Sequence, residues 1–274
     1  MRVFDIHLKE RYPFLDNGVS DPVLTVYLQH NSKEIFGGET RRPCMLFCPG
    51  GAYYMVSERE GEPMALHLFP EGWQAAVLHY SVAYEVQAFW PQQLLEASAA
   101  LHYLSVHAEE FHIDPEKLAI TGFSAGAHLA ASYANYWNRP LVQEKVAAPK
   151  LKGCTLCYGV LTAGEKTHSG SMFYLTGKET LSEEEIHLLS MEKQIGSHTP
   201  ATFLFHTACD DCVPVENTLM YASALSAAKI PFEVHIYPEG FHGLSTADRQ
   251  TGVVDSFAAA GWLDVWKEWL RRTI

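Results

Sequence analysis

Continuous apolar runs that alternate with helical patterns are the strongest constraint on the fold of this 274-residue chain. Strand-like runs occupy residues 22–29, 43–51, 74–82, 117–124, 152–160, 201–208 and 232–240. Beyond the first run, most are apolar throughout, without the polar alternation of a half-exposed strand. Strands of that kind are buried on both faces of a parallel sheet. The pattern therefore predicts an α/β fold with a mostly parallel central sheet.

Helical patterns lie between these runs, at residues 91–111, 124–137 and 215–230. In a last helix, an apolar stripe recurs at i, i+3, i+4 and i+7, on Trp262, Val265, Trp266 and Trp269. A stripe with this spacing packs a helix against a sheet more often than it binds a ligand. Strand and helix alternate along most of the chain, so we expect a single domain over residues 1–274 with helices flanking the sheet.

A mostly polar segment, residues 163–199, interrupts this alternation between two predicted core strands. Within it, Ser182 precedes a helical pattern and Glu185 follows at the spacing of a capping box. We expect a small lid-like insertion at this place. A long surface excursion is the alternative interpretation.

Charge and composition exclude several classes of partner. The formal net charge is −12 and no block of Lys or Arg occurs, so we expect no nucleic acid and no anionic membrane surface as a partner. The first residues lack an apolar core followed by a small-residue cleavage site, so we expect no signal peptide and a cytoplasmic protein. Negative charge and aromatic content allow a homodimer, and no motif specifies one.

Two C-x-x-C pairs among the six cysteines raise the question of a metal site. Cys154 and Cys157 lie inside a predicted strand, where positions three apart point to opposite faces of the sheet. Cys209 and Cys212 lie on either side of Asp210 and Asp211, which are candidates for a different role described below. We therefore expect reduced core cysteines and no bound metal.

A serine flanked by glycines marks the start of the second helical pattern. In TGFSAGAHLA, residues 121–130, Gly122 and Gly126 lie two positions on either side of Ser124, between a predicted strand and a predicted helix. Such a turn holds the serine in strained backbone angles, and its neighbours must lack bulk because strand and helix nearly touch. A helix N-terminus also favours a developing negative charge. Ser124 is therefore the candidate nucleophile.

A serine nucleophile needs a base and an acid, which follow it along the chain in hydrolases with this turn. Asp210 and Asp211 come just after a predicted strand, and His242 follows the next strand in a loop rich in glycine and proline. Ligands bind at the carboxyl ends of strands in open α/β sheets, so we expect these side chains to meet Ser124 there. The pattern D-x-x-V-P, which ends at Pro214, favours Asp210 over Asp211 as the acid.

An oxyanion hole would complete the site. In LFCPGGAYYMVS, a predicted strand is followed by Gly50, Gly51 and Ala52, and small residues let backbone N–H groups approach a substrate. Such donors stabilise the charge that an ester carbonyl gains on attack, and losing one costs about 3–4 kcal/mol. We expect them to act together with the N–H of Ala125. An ordinary turn after a strand is the alternative.

These segments resemble the α/β-hydrolase superfamily, and within it the acetyl esterase/lipase group related to hormone-sensitive lipases and small carbohydrate esterases. The resemblance covers residues 43–245 and depends on CPGGAYYMVSEREGEP, GFSAGAHLAASYA, HTACDDCVPVENTLMYASAL and YPEGFHGLS. It implies that Ser124 is the nucleophile, His242 the general base and Asp210 the acid that orients the base. It also implies that neither a metal nor an organic cofactor is needed.

The His-Gly-Gly-Gly motif of the group aligns with residues 49–52, which implies the N–H groups of Gly51 and Ala52 as oxyanion donors. Two positions depart from the motif, because Pro49 replaces the histidine and Ala52 replaces the third glycine. The resemblance implies an acyl-enzyme mechanism on small-molecule esters with short acyl groups, above all acetyl. Acetylated sugars or xylo-oligosaccharides are the substrates that it suggests.

Aromatic residues near the predicted site are candidates for substrate contacts. We expect Tyr53 and Trp90 to bind substrate, with Tyr54, Phe89 and parts of residues 163–199 completing the lining. Aromatic rings beside a hydrolytic serine can stack on a sugar or can close off a small acyl pocket. The sequence leaves both roles open.

Other functions use the same fold. Prolyl-oligopeptidase-like peptidases share the triad order but usually carry a large extra N-terminal domain, whereas the first core run here begins at residue 43. A non-catalytic binding protein of this fold would be expected to lack a triad residue. A thioesterase or an arylformamidase would apply the same machinery to another acyl bond, and the sequence does not separate them from an esterase.

Overall fold

The computed structural model of the protein describes residues 1–18, 20–34, 40–83, 89–253 and 258–274 and contains, within these ranges, one sheet of eight strands. The strands are β1 (Arg2–His7), β2 (Val23–Leu28), β3 (Arg42–Cys48), β4 (Gln74–His79), β5 (Ile113–Phe123), β6 (Gly153–Cys157), β7 (Ala201–Thr207) and β8 (Phe232–Tyr237). Their order across the sheet is β1-β2-β4-β3-β5-β6-β7-β8. β2 is antiparallel to both of its neighbours, whereas all strand pairs from β4 to β8 are parallel. The predicted α/β class with a mostly parallel sheet is confirmed.

Helices connect these strands. They are α1 (Leu8–Arg11), α2 (Glu62–Leu68), α3 (Gln92–Val106), α4 (Ala125–Tyr136), α5 (Pro140–Gln143), α6 (Ser169–Thr176), α7 (Glu183–Leu189), α8 (Glu216–Ala227) and α9 (Trp262–Thr273). Short 3₁₀ turns lie at Pro13–Leu15, Glu58–Glu60, Phe69–Glu71, Met191–Lys193, Arg249–Thr251 and Ala258–Gly261. The predicted helices correspond to α3, α4, α8 and α9. Among the described residues, none of the helices has the length and apolar character that crossing a membrane would require.

Strands β3 to β7 are buried on both faces over most of their length, as their sequences predict, whereas the residues of the edge strand β8 are exposed or half-buried. In β3, Cys44 and Leu46 belong to the core cluster on one face, and Met45 and Phe47 belong to the cluster on the other face. Residues of α3, α4 and α8 join the first cluster, while residues of α2 and α9 join the second. Every residue of α4 is buried. The helix that begins just after Ser124 is therefore enclosed by the rest of the protein.

The tryptophan stripe of α9 packs against the sheet. The ring of Trp262 stacks on Phe205 of β7 with a centroid distance of 4.5 Å. The indole N–H of Trp266 donates to the hydroxyl of Thr155 in β6 at 2.8 Å. The packing interpretation of this stripe is confirmed, since its rings are held by the strands next to them.

Several elements were not predicted from sequence, namely β1 and the short helices α1, α2, α5 and α6. β1 pairs with β2 along its whole length, but most of its residues are exposed or half-buried and it carries charges, so its apolar signal is weak. α2 is a short helix that follows the first glycine-rich loop. Within residues 163–199 the structure contains α6 and α7, and the predicted capping box of Ser182 and Glu185 is confirmed.

Candidate active site

Ser124 lies at a sharp turn between β5 and α4. Its backbone has φ +52° and ψ −119°, a strained conformation for a residue with a side chain. A Cβ on Gly122 would lie 2.1 Å from the carbonyl oxygen of Gly126, and a Cβ on Gly126 would lie 2.0 Å from the carbonyl oxygen of Cys48. The predicted need for small residues is confirmed. Gly126 also makes room for the neighbouring strand β3.

The loops after β7 and β8 bring two polar side chains to this serine. The Ser124 hydroxyl lies 2.8 Å from Nε2 of His242, and Nδ1 of the same ring lies 2.8 Å from Oδ2 of Asp210. These three side chains come from turns at the carboxyl ends of β5, β7 and β8. Ser124 and His242 are 118 residues apart in sequence, and Asp210 and His242 are 32 residues apart. The parallel sheet brings the ends of their strands to one edge.

The Asp210 carboxylate is held on both of its oxygens. Oδ1 accepts the backbone N–H groups of Cys212 and Val213 at 2.9 and 2.8 Å. Oδ2 faces His242 and also Nε2 of His206, which lies 3.3 Å away. Burial favours a raised pKa for Asp210, but the hydrogen bonds from the two histidines and the charge of His242 outweigh it and lower the pKa below its usual value. The carboxylate is therefore ionised at neutral pH.

His206 was not identified from the sequence. Its Nε2 lies 3.0 Å from the carbonyl oxygen of Val213, and its Nδ1 lies 2.8 Å from the hydroxyl of Thr218. A carbonyl can only accept, so Nε2 carries the ring proton and points it toward Val213 and Asp210. Nothing in the apolar strand that contains His206 indicates this contact. Asp211, the alternative acid, is exposed on the same loop.

The glycine-rich loop after β3 lies on the other side of Ser124. Gly51 has φ +121° and Ala52 has φ +58°, so the loop follows a path that favours glycine and that Ala52 tolerates at some cost. Both residues line the same cavity as Ser124 and His242. Ala125 is the first residue of α4, where backbone N–H groups lack helical partners. The three predicted oxyanion donors thus lie around the serine.

The cavity beside Ser124 has a volume of about 380 Å³. It is lined by Gly51, Ala52, Tyr54, Met55, Ser57, Arg59, Glu60, Ser124, His168, Tyr174, Cys212, His242 and Gly243. The rings of Tyr54 and Tyr174 lie 4.9 Å apart. His168 and Tyr174 belong to the segment 163–199, so that segment does contribute to the lining.

The structure does not bring Tyr53 or Trp90 to this cavity. The Tyr53 side chain is 1 % exposed and its hydroxyl lies 2.8 Å from Nδ1 of His128. Burial lowers the pKa of His128 to about 4, so this ring is neutral. Trp90 packs against the rings of His128 and Tyr136. Tyr54, one position after Tyr53, is the tyrosine of this pair that lines the cavity.

The cysteine pairs lie in different environments. Cys154 and Cys157 are fully buried in β6, where they join the core clusters on opposite faces of the sheet, as their spacing predicts. Burial raises the pKa of both thiols. Cys209 and Cys212 are exposed near Asp210. Within the described ranges, no group of three or more His, Cys, Asp or Glu side chains is arranged to hold a metal ion.

Comparisons with known proteins agree with this architecture. The BD-FAE family model matches residues 26–225. Endo-1,4-beta-xylanase B of Butyrivibrio fibrisolvens is 37% identical over 84% of this chain, and an acetylxylan esterase of Xylanibacter ruminicola is 28% identical over 71%. The chain spans only 35% and 39% of the length of these two curated relatives.

A solved structure is similar over nearly its whole length. The acetyl ester-xyloside bifunctional hydrolase from Caldicellulosiruptor lactoaceticus superimposes with a TM-score of 0.84 at 32% sequence identity, covering 99% of this chain and 96% of that one. The family match extends over most of the chain, and the fold agrees with it. The chain therefore belongs to the BD-FAE family, within the acetyl esterase/lipase group of the α/β-hydrolase superfamily.

Proposed function

We propose that the protein is a serine carboxylic-ester hydrolase with Ser124 as nucleophile, His242 as general base and Asp210 as the residue that orients the base. The observation that carries the proposal is the continuous hydrogen-bonded series from the Ser124 hydroxyl through the His242 ring to the Asp210 carboxylate. A serine hydroxyl is a weak nucleophile until a neighbouring base removes its proton. The series supplies the base and holds it in one tautomer.

The reaction proceeds in two halves. As Oγ of Ser124 attacks the ester carbonyl carbon, its proton passes to Nε2 of His242, and the ionised Asp210 stabilises the resulting imidazolium through Nδ1–H. The imidazolium then gives the proton to the departing alcohol, which leaves an acyl group on the serine. Water, activated by His242, attacks this acyl-enzyme and releases the acid. The backbone N–H groups of Gly51, Ala52 and Ala125 are the proposed donors to the oxyanion in both halves.

We infer that the substrates are acetyl esters of sugars. The cavity, at about 380 Å³, lies toward the small end of ligand pockets, which run from about 300 to 1,000 Å³. Tyr54 and Tyr174 offer ring faces at its rim on which a sugar can stack. One similar protein is named an acetylxylan esterase, and another is named an acetyl ester-xyloside bifunctional hydrolase. In this proposal residues 163–199 are a lid-like insertion that shapes the alcohol side of the site.

A substrate panel tests the proposed reaction. Measured by kcat/KM, p-nitrophenyl acetate is expected to exceed p-nitrophenyl octanoate by at least about tenfold, because the proposed substrates are acetyl esters. Acetylated xylose should release acetate in the same assay, whereas aminoacyl-proline amides should not be cleaved. Faster cleavage of the amides would favour the peptidase alternative. A preference for acetyl thioesters over oxygen esters would favour a thioesterase.

His168, on the insertion of residues 163–199, has a polar side chain that can contact the alcohol part of the ester and so influence which alcohols are accepted. Its Nδ1 accepts the backbone N–H of Ser171 at 3.2 Å, which caps α6 and leaves the ring proton on Nε2. Burial and the charge of His242 lower its pKa, so the ring is a neutral donor at neutral pH. Among the described residues, no side-chain or backbone partner of Nε2 is found. We propose that Nε2–H donates to an oxygen of the sugar.

Replacing His168 with asparagine keeps a side chain that caps helices and removes the ring donor. The kcat/KM for acetylated xylose is expected to fall by about 3- to 10-fold, the value of one neutral hydrogen bond, mainly through KM. The kcat/KM for p-nitrophenyl acetate, which has no sugar, should stay within about twofold. Equal losses on both substrates would indicate a structural role for His168 instead.

A further inference from the structure

A second carboxylate, Glu60, is buried beside the proposed triad and has no role in the mechanism above. Its side chain lines the cavity of Ser124 and His242, and the residue is only 3 % exposed. Oε2 accepts the backbone N–H of Gly50, in the loop of the oxyanion donors, at 2.7 Å. Oε1 accepts the hydroxyl of Tyr158 at 2.7 Å. Both carboxylate oxygens are therefore engaged by donors from different parts of the site.

Tyr158 extends this contact to the loop that carries His242. The backbone N–H of Ser245 donates to the Tyr158 hydroxyl oxygen at 2.9 Å, so the hydroxyl proton is directed to Glu60. Burial is the main cause that raises the pKa of Tyr158, and the charge of Glu60 raises it further, so the hydroxyl keeps this proton. The ring also packs edge-on against His242 with a centroid distance of 5.2 Å.

Two more contacts join the same two segments of chain. The guanidinium of Arg59 donates to the carbonyl oxygen of Gly243, the residue after His242. The hydroxyl of Ser245 donates to the carbonyl oxygen of Arg59 at 2.5 Å. The turn of Glu58–Glu60 is thus tied on one side to the oxyanion loop and on the other to the histidine loop. Movement of Glu60 would displace both loops relative to Ser124.

We propose that ionised Glu60 is a positioning residue that acts through Gly50 and Tyr158. It fixes the oxyanion loop and the histidine loop in one arrangement around Ser124, and its negative charge stabilises the imidazolium that forms on His242 during attack. This inference depends on the proposed ester hydrolysis. It assigns a role to the SEREGEP segment, which forms part of the family resemblance but for which the sequence predicted no function.

Neighbouring donors and positive charges favour the ionised form of Glu60. Burial is the largest influence and raises the pKa of Glu60, while the hydrogen bonds from Tyr158 and Gly50 and the charges of His242 and Arg59 oppose this effect. The two hydrogen bonds are made to the ionised form, which they therefore favour. The charged or titratable groups around His242 are Asp210, His206 behind it, Glu60, Tyr158, Arg59, His168 and Cys212.

Two variants separate the charge from the hydrogen bonds. Glu60→Gln keeps the shape, removes the charge and offers an acceptor to only one of the two donors. Its kcat for p-nitrophenyl acetate is expected to fall by about 10- to 100-fold, with KM within about threefold, because the donors and the base are misplaced. The acid-side midpoint of its pH–rate profile should move to lower pH, because the imidazolium loses a neighbouring negative charge.

Tyr158→Phe removes the link and leaves the carboxylate in place. Its kcat should fall by about 3- to 10-fold, and its acid-side midpoint should move less than that of Glu60→Gln. Glu58→Gln, an exposed carboxylate in the same turn, is the matched control and should resemble the wild type in kcat and midpoint. Circular dichroism and thermal melting check that each variant is folded.

Wild-type kcat and midpoint in folded Glu60→Gln would overturn the inference. A fall in melting temperature without a change in kcat would also overturn it, because Glu60 would then act on stability alone. If Glu60→Gln does not fold, Tyr158→Phe decides, and unchanged kcat in that variant rejects the positioning role. Failure of the ester-hydrolase proposal is seen separately, as absent turnover in the wild type before any variant is compared.

Discussion

Replacing Ser124 with alanine is expected to lower kcat for p-nitrophenyl acetate by about 10⁴- to 10⁶-fold while the protein stays folded. The hydroxyl is the atom that forms the acyl-enzyme, and its only side-chain hydrogen bond in the described structure is to Nε2 of His242. Alanine fits the space without a new contact. Steady-state kinetics, with enough enzyme to detect the residual rate, provide the measurement.

A matched serine controls for this change. Ser132 is buried in the same helix, and its hydroxyl donates to the carbonyl oxygen of His128, one turn earlier. Ser132→Ala should leave kcat within about twofold. A fluorophosphonate probe should label the wild type and Ser132→Ala but not Ser124→Ala. Near-normal turnover or labelling of Ser124→Ala would reject Ser124 as the nucleophile.

Exchanging Asp210 for asparagine is expected to lower kcat by about 10³- to 10⁴-fold, even though the two side chains have nearly the same shape. The carboxylate accepts from both His242 and His206, whereas an amide offers one oxygen and one NH₂ group. If the NH₂ group faces His242, it favours the ring tautomer that cannot take the serine proton. The loss should appear in kcat more than in KM, since Asp210 is not among the residues that line the cavity.

Asp211→Asn is the control for this prediction, because Asp211 is its exposed neighbour on the same loop. Its kcat should remain within about twofold of the wild type. The pair of variants also decides between the two acids that the sequence left open. A large loss in Asp211→Asn together with a small loss in Asp210→Asn would reverse the assignment.

The sheet could be predicted because strands that are buried on both faces have long apolar runs in the sequence. β3 has apolar residues at almost every position, and β7 has three large apolar residues in succession at its centre, as expected for strands covered on both faces. β1 has only one face against the protein and carries Arg2, Asp5 and His7, so its pattern is close to that of a loop. Its strand character comes from pairing with β2, which is a contact between distant residues and not a local signal.

The triad candidates could be found because each comes directly after a strand or a strand-like run, in an order that hydrolases share. The lining could not be found in the same way. Tyr53 and Tyr54 are adjacent tyrosines, and the positive φ of Tyr53 turns its ring into the core while Tyr54 stays at the cavity. Local composition does not reveal such a turn of the backbone. Glu60 was missed because its partner Tyr158 is 98 residues away in sequence. His206 was missed because its contacts with Asp210, Val213 and Thr218 depend on how the chain after β7 folds back on the strand.

The burial of α4 has a consequence for the electrostatics of the proposed reaction. Protein encloses every residue of this helix, so mobile ions cannot gather along its length and weaken the partial positive charge at its first turn. A chain with a formal net charge of −12 therefore presents a locally positive point where the tetrahedral intermediate would become negative. That field comes from aligned peptide groups, which do not titrate near neutral pH. It would persist across a wide range of ionic strength.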